Sequence, residues 1–302
     1  MNVVLVCVGN FQDYILANLF QLLELKHKHV YVITDEAFFE KFEAFRDRPE
    51  VKLVATSSLQ DEYKYEEKSR MDREFRGGFW MHACTRFFYI YALMRHIGLE
   101  DVVHLENDVP IYHNVNILAG CVDRAKIYIP FDSFGRTIPS IVYIPTAATL
   151  KKVLDGYRSD VTDMVNFRIA FQENPGLIEP FPICKPLPGF TSEQLFVSQN
   201  YGRFSNFIFD ACAMGQYLGG VDPRNFPGVN TVGFVNETTV VQYNTFRGFV
   251  WIEVDNIPRP FLMVNEHEAL PIFNLHIHSK ELHKFVSPKY QGTHSVAGLP
   301  SA

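Results

Sequence analysis

Val102-Val103-His104-Leu105-Glu106-Asn107-Asp108-Val109-Pro110-Ile111-Tyr112 is the stretch on which the reading of this 302-residue chain turns. It follows Gly98-Leu99-Glu100-Asp101 and opens as a run of branched and apolar residues, so it reads as a buried strand emerging from a helix. It ends in two carboxylates, Glu106 and Asp108, and then in Pro110, which stops regular pairing. Open α/β sheets hold their ligands at the carboxyl ends of strands. At i and i+2 the two acids share one side of an extended chain, and oxygen ligands of this kind suit a hard divalent cation that also holds phosphates. A solvated acidic turn is the plainer reading of the same residues.

Upstream, residues 2–8 form a continuous apolar strand, followed by Gly9-Asn10 and a helix carrying Ile15, Leu16, Leu19, Phe20, Leu22 and Leu23. A second strand, His29–Thr34, is followed by an amphipathic helix from Asp35 through Phe45, and Val51–Val54 is a third strand. Strand alternating with helix predicts right-handed crossovers and a parallel sheet, hence an α/β fold. The loop after the first strand has neither G-x-G-x-x-G nor a Walker pattern, so both standard phosphate loops are absent. The charged stretch 56–78 reads as a mobile flap or a solvated loop. Residues 79–97 form a helix with Phe87, Ile90, Tyr91, Met94 and Ile97 on one stripe. Arg86 on that helix offers either a planar fork for a diphosphate or a surface ion pair.

Downstream, a short helix follows Tyr112, then strands near 125–130 and 140–145, and a helical pattern over 146–173. The proline-rich passage 174–189 reads as a stiff irregular connection within one domain of two lobes. Thr191-Ser192-Glu193-Gln194 caps a further helix. Asp210 sits where the pattern Phe209–Gly219 starts another, and serves there as an N-cap or as a general base toward a hydroxyl. Short strands are expected at 231–235, 248–254 and 261–264. Finally His276, His278 and Lys280 alternate, so in an extended chain all three face one side: a poor core surface and a good one for phosphate or metal.

Phenylalanine makes up 27 of the 302 residues, which predicts a core of aromatic packing. The net charge is −6 with no dense Lys/Arg stripe, which argues against a nucleic-acid partner. No apolar run approaches the roughly 20 residues that cross a bilayer. The start, Met1–Gly9, lacks a basic leader, so no signal peptide is expected. The five cysteines are scattered without a C-x-x-C pair and read as reduced thiols of a cytoplasmic protein.

Taken together these residues resemble the GT-A glycosyltransferases, which use nucleotide sugars and a divalent cation. The resemblance rests on the α/β half without a glycine fingerprint, on Glu106-Asn107-Asp108 in the place of a D-x-D motif, and on His276-Ile277-His278-Ser279-Lys280. Within that class the chain is similar to the small glycosyltransferases of large algal DNA viruses. The resemblance implies one GT-A-like domain over residues 1–302, its sheet mostly parallel and flanked by helices. Residues 1–112 would be the nucleotide-sugar half and 113–302 the acceptor-side half. Val8, Gly9, Asn10, Thr34 and Asp35 would hold the nucleoside, Arg86 would lie near the donor, and Lys280 would meet a phosphate. Asp108 would bind the ion, Mn²⁺ in preference to Mg²⁺, with Glu106, Asn107 and one of His276 and His278 beside it. Asp210, with Glu193 behind it, would be the base of an inverting reaction. The implied partners are a UDP-sugar donor and a glycan or glycoprotein acceptor. A sugar-nucleotidyltransferase and a non-catalytic glycan-binding protein are the alternatives.

Overall fold

The computed structural model describes residues 1–225 and 231–287. Strands β1 (Asn2–Cys7), β2 (Val30–Thr34), β3 (Val51–Ala55) and β4 (Val102–Leu105) lie parallel in the order β3-β2-β1-β4. Beyond β4 the same sheet continues through β7 (Ile141–Ile144), β5 (Ile127–Ser133) and the two-residue β6 (Arg136–Thr137), all by antiparallel pairs. β8 (Ile178–Phe181) pairs parallel to β5. The fold is α/β, with a central, mostly parallel sheet flanked by helices.

The parallel strands are apolar on both sides because both sides are covered. Val3, Leu5, Val30, Val32, Val103 and Leu105 pack toward helix α1 (Ile15–Glu24). Their alternates Val4, Val6, Ile33 and Val102 pack toward α3 (Phe79–Ile97). The short helix α2 (Tyr65–Lys68) precedes α3, and α4 (Ala147–Leu154) and α5 (Asp163–Glu173) cover the same side. Later helices are short: α6 (Ser192–Phe196) and α7 (Met214–Gly219). A small antiparallel sheet follows, β9 (Phe249–Val254), β10 (Ile257–Met263) and β11 (Ala269–Pro271), and a 3-10 turn, Leu282–Lys284, lies near the end of the described chain.

Several local expectations change. The segment after Asp35 is a 3-10 stretch, Glu36–Phe45, kinked at Phe42. Residues 56–78 are anchored by aromatic packing: the Tyr65 ring stacks on Phe88 at 4.4 Å. Residues 146–173 are two helices broken before Thr162, whose hydroxyl caps α5. The proline-rich passage contains β8, which tolerates Pro180 because it lies at the edge of the sheet. Residues 231–235 form a turn, not a strand.

The phenylalanines do build the core around the later chain. Phe181 stacks on Phe209 at 4.2 Å and Phe209 on Phe273 at 4.9 Å, which pins the segment ahead of His276 to the main sheet. Each ring so buried contributes about 1.5–3 kcal/mol. Among the described residues no helix is long and apolar enough to cross a membrane.

Candidate functional site

β2 and β3 lie to one side of β1 and β4 to the other, so the order reverses between β1 and β4. The crevice outside the carboxyl ends of strands at such a reversal is where open sheets take ligands. A cleft of about 690 Å³ opens there, lined by Val8 and Asn10 after β1 and by Glu106, Asn107 and Asp108 after β4.

His276 reaches this place because its segment runs antiparallel to the stretch after β4. Tyr112 N–H donates to Phe273 O at 2.9 Å, Leu275 N–H to Pro110 O at 3.1 Å and Ile277 N–H to Asp108 O at 3.0 Å. Leu275 and Ile277 are buried while His276 lies in the cleft wall, and a turn after Ile277, closed by Lys280 N–H donating to Ile277 O at 3.1 Å with Lys280 at φ +64°, brings Lys280 there too. His276 Nε2 lies 3.2 Å from Glu106 Oε2 and 3.4 Å from Asp108 Oδ2, and Lys280 Nζ pairs with Asp108. Burial resists the Asp108 charge, but Lys280 and His276 overcome it and hold the carboxyl well below its ordinary range. In the same way Asp108 raises the His276 imidazole against its burial. Glu106, Asp108 and His276 offer atoms within 4.8 Å of one another, a donor set fit for a cation. His278 faces the other way, its Nε2 3.0 Å from Cys212 Sγ.

Arg86 is buried beneath the acids rather than free for a diphosphate. It pairs with Glu106, reaches Asp163 Oδ2 at 2.5 Å and donates to Pro139 O at 3.1 Å. Burial, with Glu106 nearby, lifts the Asp163 carboxyl to about 6 although Arg86 opposes the rise. Two acids thus share one guanidinium, and Glu106 is fixed from below.

Asp210 is fully buried. Its Oδ1 accepts from the N–H groups of Ala213 and Met214 (2.8 and 2.9 Å), and its Oδ2 from those of Gly215 and His276 (2.7 and 2.8 Å). A carboxylate so occupied cannot reach a hydroxyl, which corrects its reading as a general base. It acts as a clamp that holds the His276 backbone against α7. Gly215 permits this approach: a Cβ there would sit 2.1 Å from His276 O. Burial raises the Asp210 pKa while these backbone N–H groups oppose it. Glu193 also falls away from base chemistry, since it lies outside the cleft lining and accepts from Phe134 N–H at 2.5 Å.

The nucleoside residues divide. Val8 and Asn10 line the cleft. Asp35 is set back, where its Oδ2 accepts from Gly9 N–H at 2.8 Å and its Oδ1 from Thr56 Oγ1 at 3.0 Å. Thr34 is buried and donates to Cys7 O at 2.6 Å, so it ties β2 to β1 without touching the cleft. Gly9 has φ +73°, and a Cβ there would sit 2.1 Å from His82 Nε2, so this turn requires glycine. Asn107 spends its amide on Val6 O (2.7 Å) and Gln12 Oε1 (2.6 Å), anchoring the acidic turn to the β1 loop.

The sequence reading passed over Asp163, Cys212, Asp222 and Arg224, all in the cleft wall. Arg224 grips Asp222 at 2.6 Å, and Arg76 joins the same acid at 3.4 Å and Asn225 Oδ1 at 2.5 Å across the mouth. The only signal in the sequence was Asp222-Pro223-Arg224, an acid and a cation after a glycine pair. Among the described residues, Asp13, Glu106, Asp108, Asp163 and Asp222 face Arg76, Arg86, Arg136, Arg224 and Lys280 around the cleft, with His276, whose imidazole Asp108 raises, beside them.

No protein-family model matches this sequence, and no curated protein matches it. Among solved structures the chain is similar to mouse xyloside xylosyltransferase 1 in its apo form, at 13% identity and a TM-score of 0.43, over 60% of this chain and 84% of that one. It is similar to the galactosyltransferase LgtC in complex with donor and acceptor sugar analogs, at 11% identity and a TM-score of 0.40, over 60% and 73%. A cytidylyltransferase from Leptospira borgpetersenii matches at 14% identity and a TM-score of 0.39, over 60% and 75%. These likenesses are partial, and the functional reading rests on the site itself.

Proposed function

We propose that this chain is a glycosyltransferase of the GT-A kind, moving a sugar from a nucleoside diphosphate donor, a UDP-sugar, to a glycan or glycoprotein acceptor with a divalent cation. The observation that carries the reading is the meeting of Glu106, Asp108, His276 and Lys280 in one cleft at the strand-order reversal. The cleft has the size of a site for a small organic ligand. Arg76, Arg86, Arg136, Arg224 and Lys280 are each paired with a carboxylate, and a divalent ion would add positive charge for a diphosphate. Two carboxylates and one imidazole suit Mn²⁺, with Mg²⁺ as the second choice. Asp108, Glu106 and His276 would hold the ion, which when bound supplies charge neutralisation and Lewis acidity for the departing diphosphate.

The chain's own groups then have distinct tasks. Lys280 brings a mobile point charge from Asp108 to a phosphate oxygen. Arg86 holds Glu106 in place. Val8 and Asn10 line the nucleoside side, Gly9 shapes its turn, and Asp35 holds Gly9. Residues 1–112 provide this donor side and 113–302 the acceptor wall. With Asp210 enclosed and Glu193 outside the cleft, a base for an inverting reaction would have to come from the acids that do line it, such as Asp13 or Asp222. The reading places the protein in the cytoplasm, in keeping with five free, buried cysteines. A nucleotidyltransferase would bring a triphosphate to the first loop, yet residues 9–25 contain no cation.

The test incubates the protein with a panel of nucleotide sugars, in Mn²⁺ or in a chelator, and follows release of nucleoside diphosphate. Metal-dependent release from one donor, lost in Asp108→Ala, is expected. Absence of both turnover and metal-dependent nucleotide binding would sink the reading.

A further inference from the structure

The cleft contains a second set of metal-binding atoms with a different chemistry. Cys212 is 5% exposed, and its Sγ, His276 and His278 offer donor atoms that all lie within 4.8 Å of one another. His276 turns Nε2 toward the two carboxylates, which leaves Nδ1, a buried atom without a hydrogen-bond partner. The rings of His276 and His278 meet edge to face at 4.4 Å. The Gln216 amide lies 2.9 Å from His278 Nδ1 and 3.3 Å from Cys212 Sγ.

We propose that Cys212, His276 and His278 form a site for a thiophilic divalent ion of the zinc class, and that it excludes an ion from the Glu106–Asp108 site because both draw on His276. One thiolate and two imidazoles are a zinc ligand set, with the fourth position open to the cleft. An imidazole whose Nε2–H donates to a carboxylate while Nδ1 binds metal is the carboxylate–histidine–zinc arrangement, and Asp108 and Glu106 stand where it needs them. Turned so that its oxygen accepts from His278 Nδ1–H, the Gln216 amide fixes the second ring likewise and frees Nε2 for the ion.

The backbone around the thiol is fixed. Cys212 O accepts from Asn236 Nδ2 at 2.9 Å, and the three N–H groups that follow are gathered by Asp210. Binding forms the metal–sulfur bond and releases the thiol proton to solvent. A hard ion selects the carboxylate oxygens and a zinc-class ion the sulfur, so zinc withdraws His276 and inhibits whatever the acid pair does. This inference stands on the three side chains and holds whether or not the chain is a transferase.

Cobalt(II) alone, titrated into the full chain and followed by absorption, is the probe. One equivalent giving a thiolate-to-cobalt charge-transfer band, displaced by Zn²⁺, is expected. Cys212→Ser should lose the band, Gln216→Ala should weaken binding by about 10–100-fold, and Mn²⁺ should raise the apparent Kd for Co²⁺. Co²⁺ binding without the band, or an unchanged band in Cys212→Ser, would overturn the site. Indifference to Mn²⁺ would overturn the exclusion. The first readout uses the unaltered protein, so a variant that fails to fold leaves the proposal testable.

Discussion

The two flanks of the Glu106–Asp108 turn use the same chemistry to opposite ends. On the α3 flank, Arg86 is 9% exposed at the base of the cleft, and both of its terminal nitrogens are paired, with Glu106 and with Asp163. On the 276–280 flank, Lys280 and His276 meet Asp108 at the wall of an open cleft, where an incoming ligand can take over a partner. The difference lies in access rather than in charge. A cation enclosed by two acids fixes geometry, whereas a cation at a cleft wall can change partners.

The largest expected effect is on the enclosed flank. Arg86→Ala leaves the buried Asp163 carboxylate without a cation and should cost about 3–5 kcal/mol in chemical denaturation. A loss within the range of an exposed pair would erase the distinction. On the open flank, Asp108→Asn should keep the fold and lower turnover by about 10²–10³-fold, as loss of a charge-stabilising group does. Equal damage to stability would make Asp108 structural.

A pH series separates the site from an unrelated acid sensitivity. His27 is buried, its Nδ1–H donating to Leu22 O at 2.9 Å and its Nε2 accepting from Val115 N–H at 3.0 Å. Burial lowers its pKa to about 4. The unfolded chain therefore binds a proton that the folded chain refuses. Stability from this group is complete above about pH 6.5 and falls as pH drops toward 4, by about 3 kcal/mol. His27→Gln should flatten that fall in thermal-shift profiles, and an unchanged profile would return the acid sensitivity to the site. The smallest effect belongs to Lys280→Ala, which should weaken nucleotide binding about tenfold, roughly 1.4 kcal/mol, with little change in unfolding midpoint.

What was legible follows the range of the contacts. β1 to β4 and α3 were readable because apolar runs and one helical stripe are local signals. The row His276, His278, Lys280 was readable as cleft chemistry by residue type, but not as one extended face, because the chain turns after Ile277. β8 was hidden by Pro180, which the sheet edge accommodates. Asp210 carried the same local signal as a cap or a base, and only the N–H groups around it separate the two. Arg86 could not be assigned because Asp163 meets it from 77 positions away. For the same reason the sequence did not show that His276 faces the carboxylates and His278 faces Cys212.

The most direct test of the open flank is calorimetric titration of UDP into the protein with Mn²⁺ and with a chelator. The account predicts that Mn²⁺ tightens UDP binding at least about tenfold, or roughly 1.4 kcal/mol, and that Asp108→Asn abolishes the gain. UDP binding that is indifferent to the metal, or a gain that survives in Asp108→Asn, would contradict it.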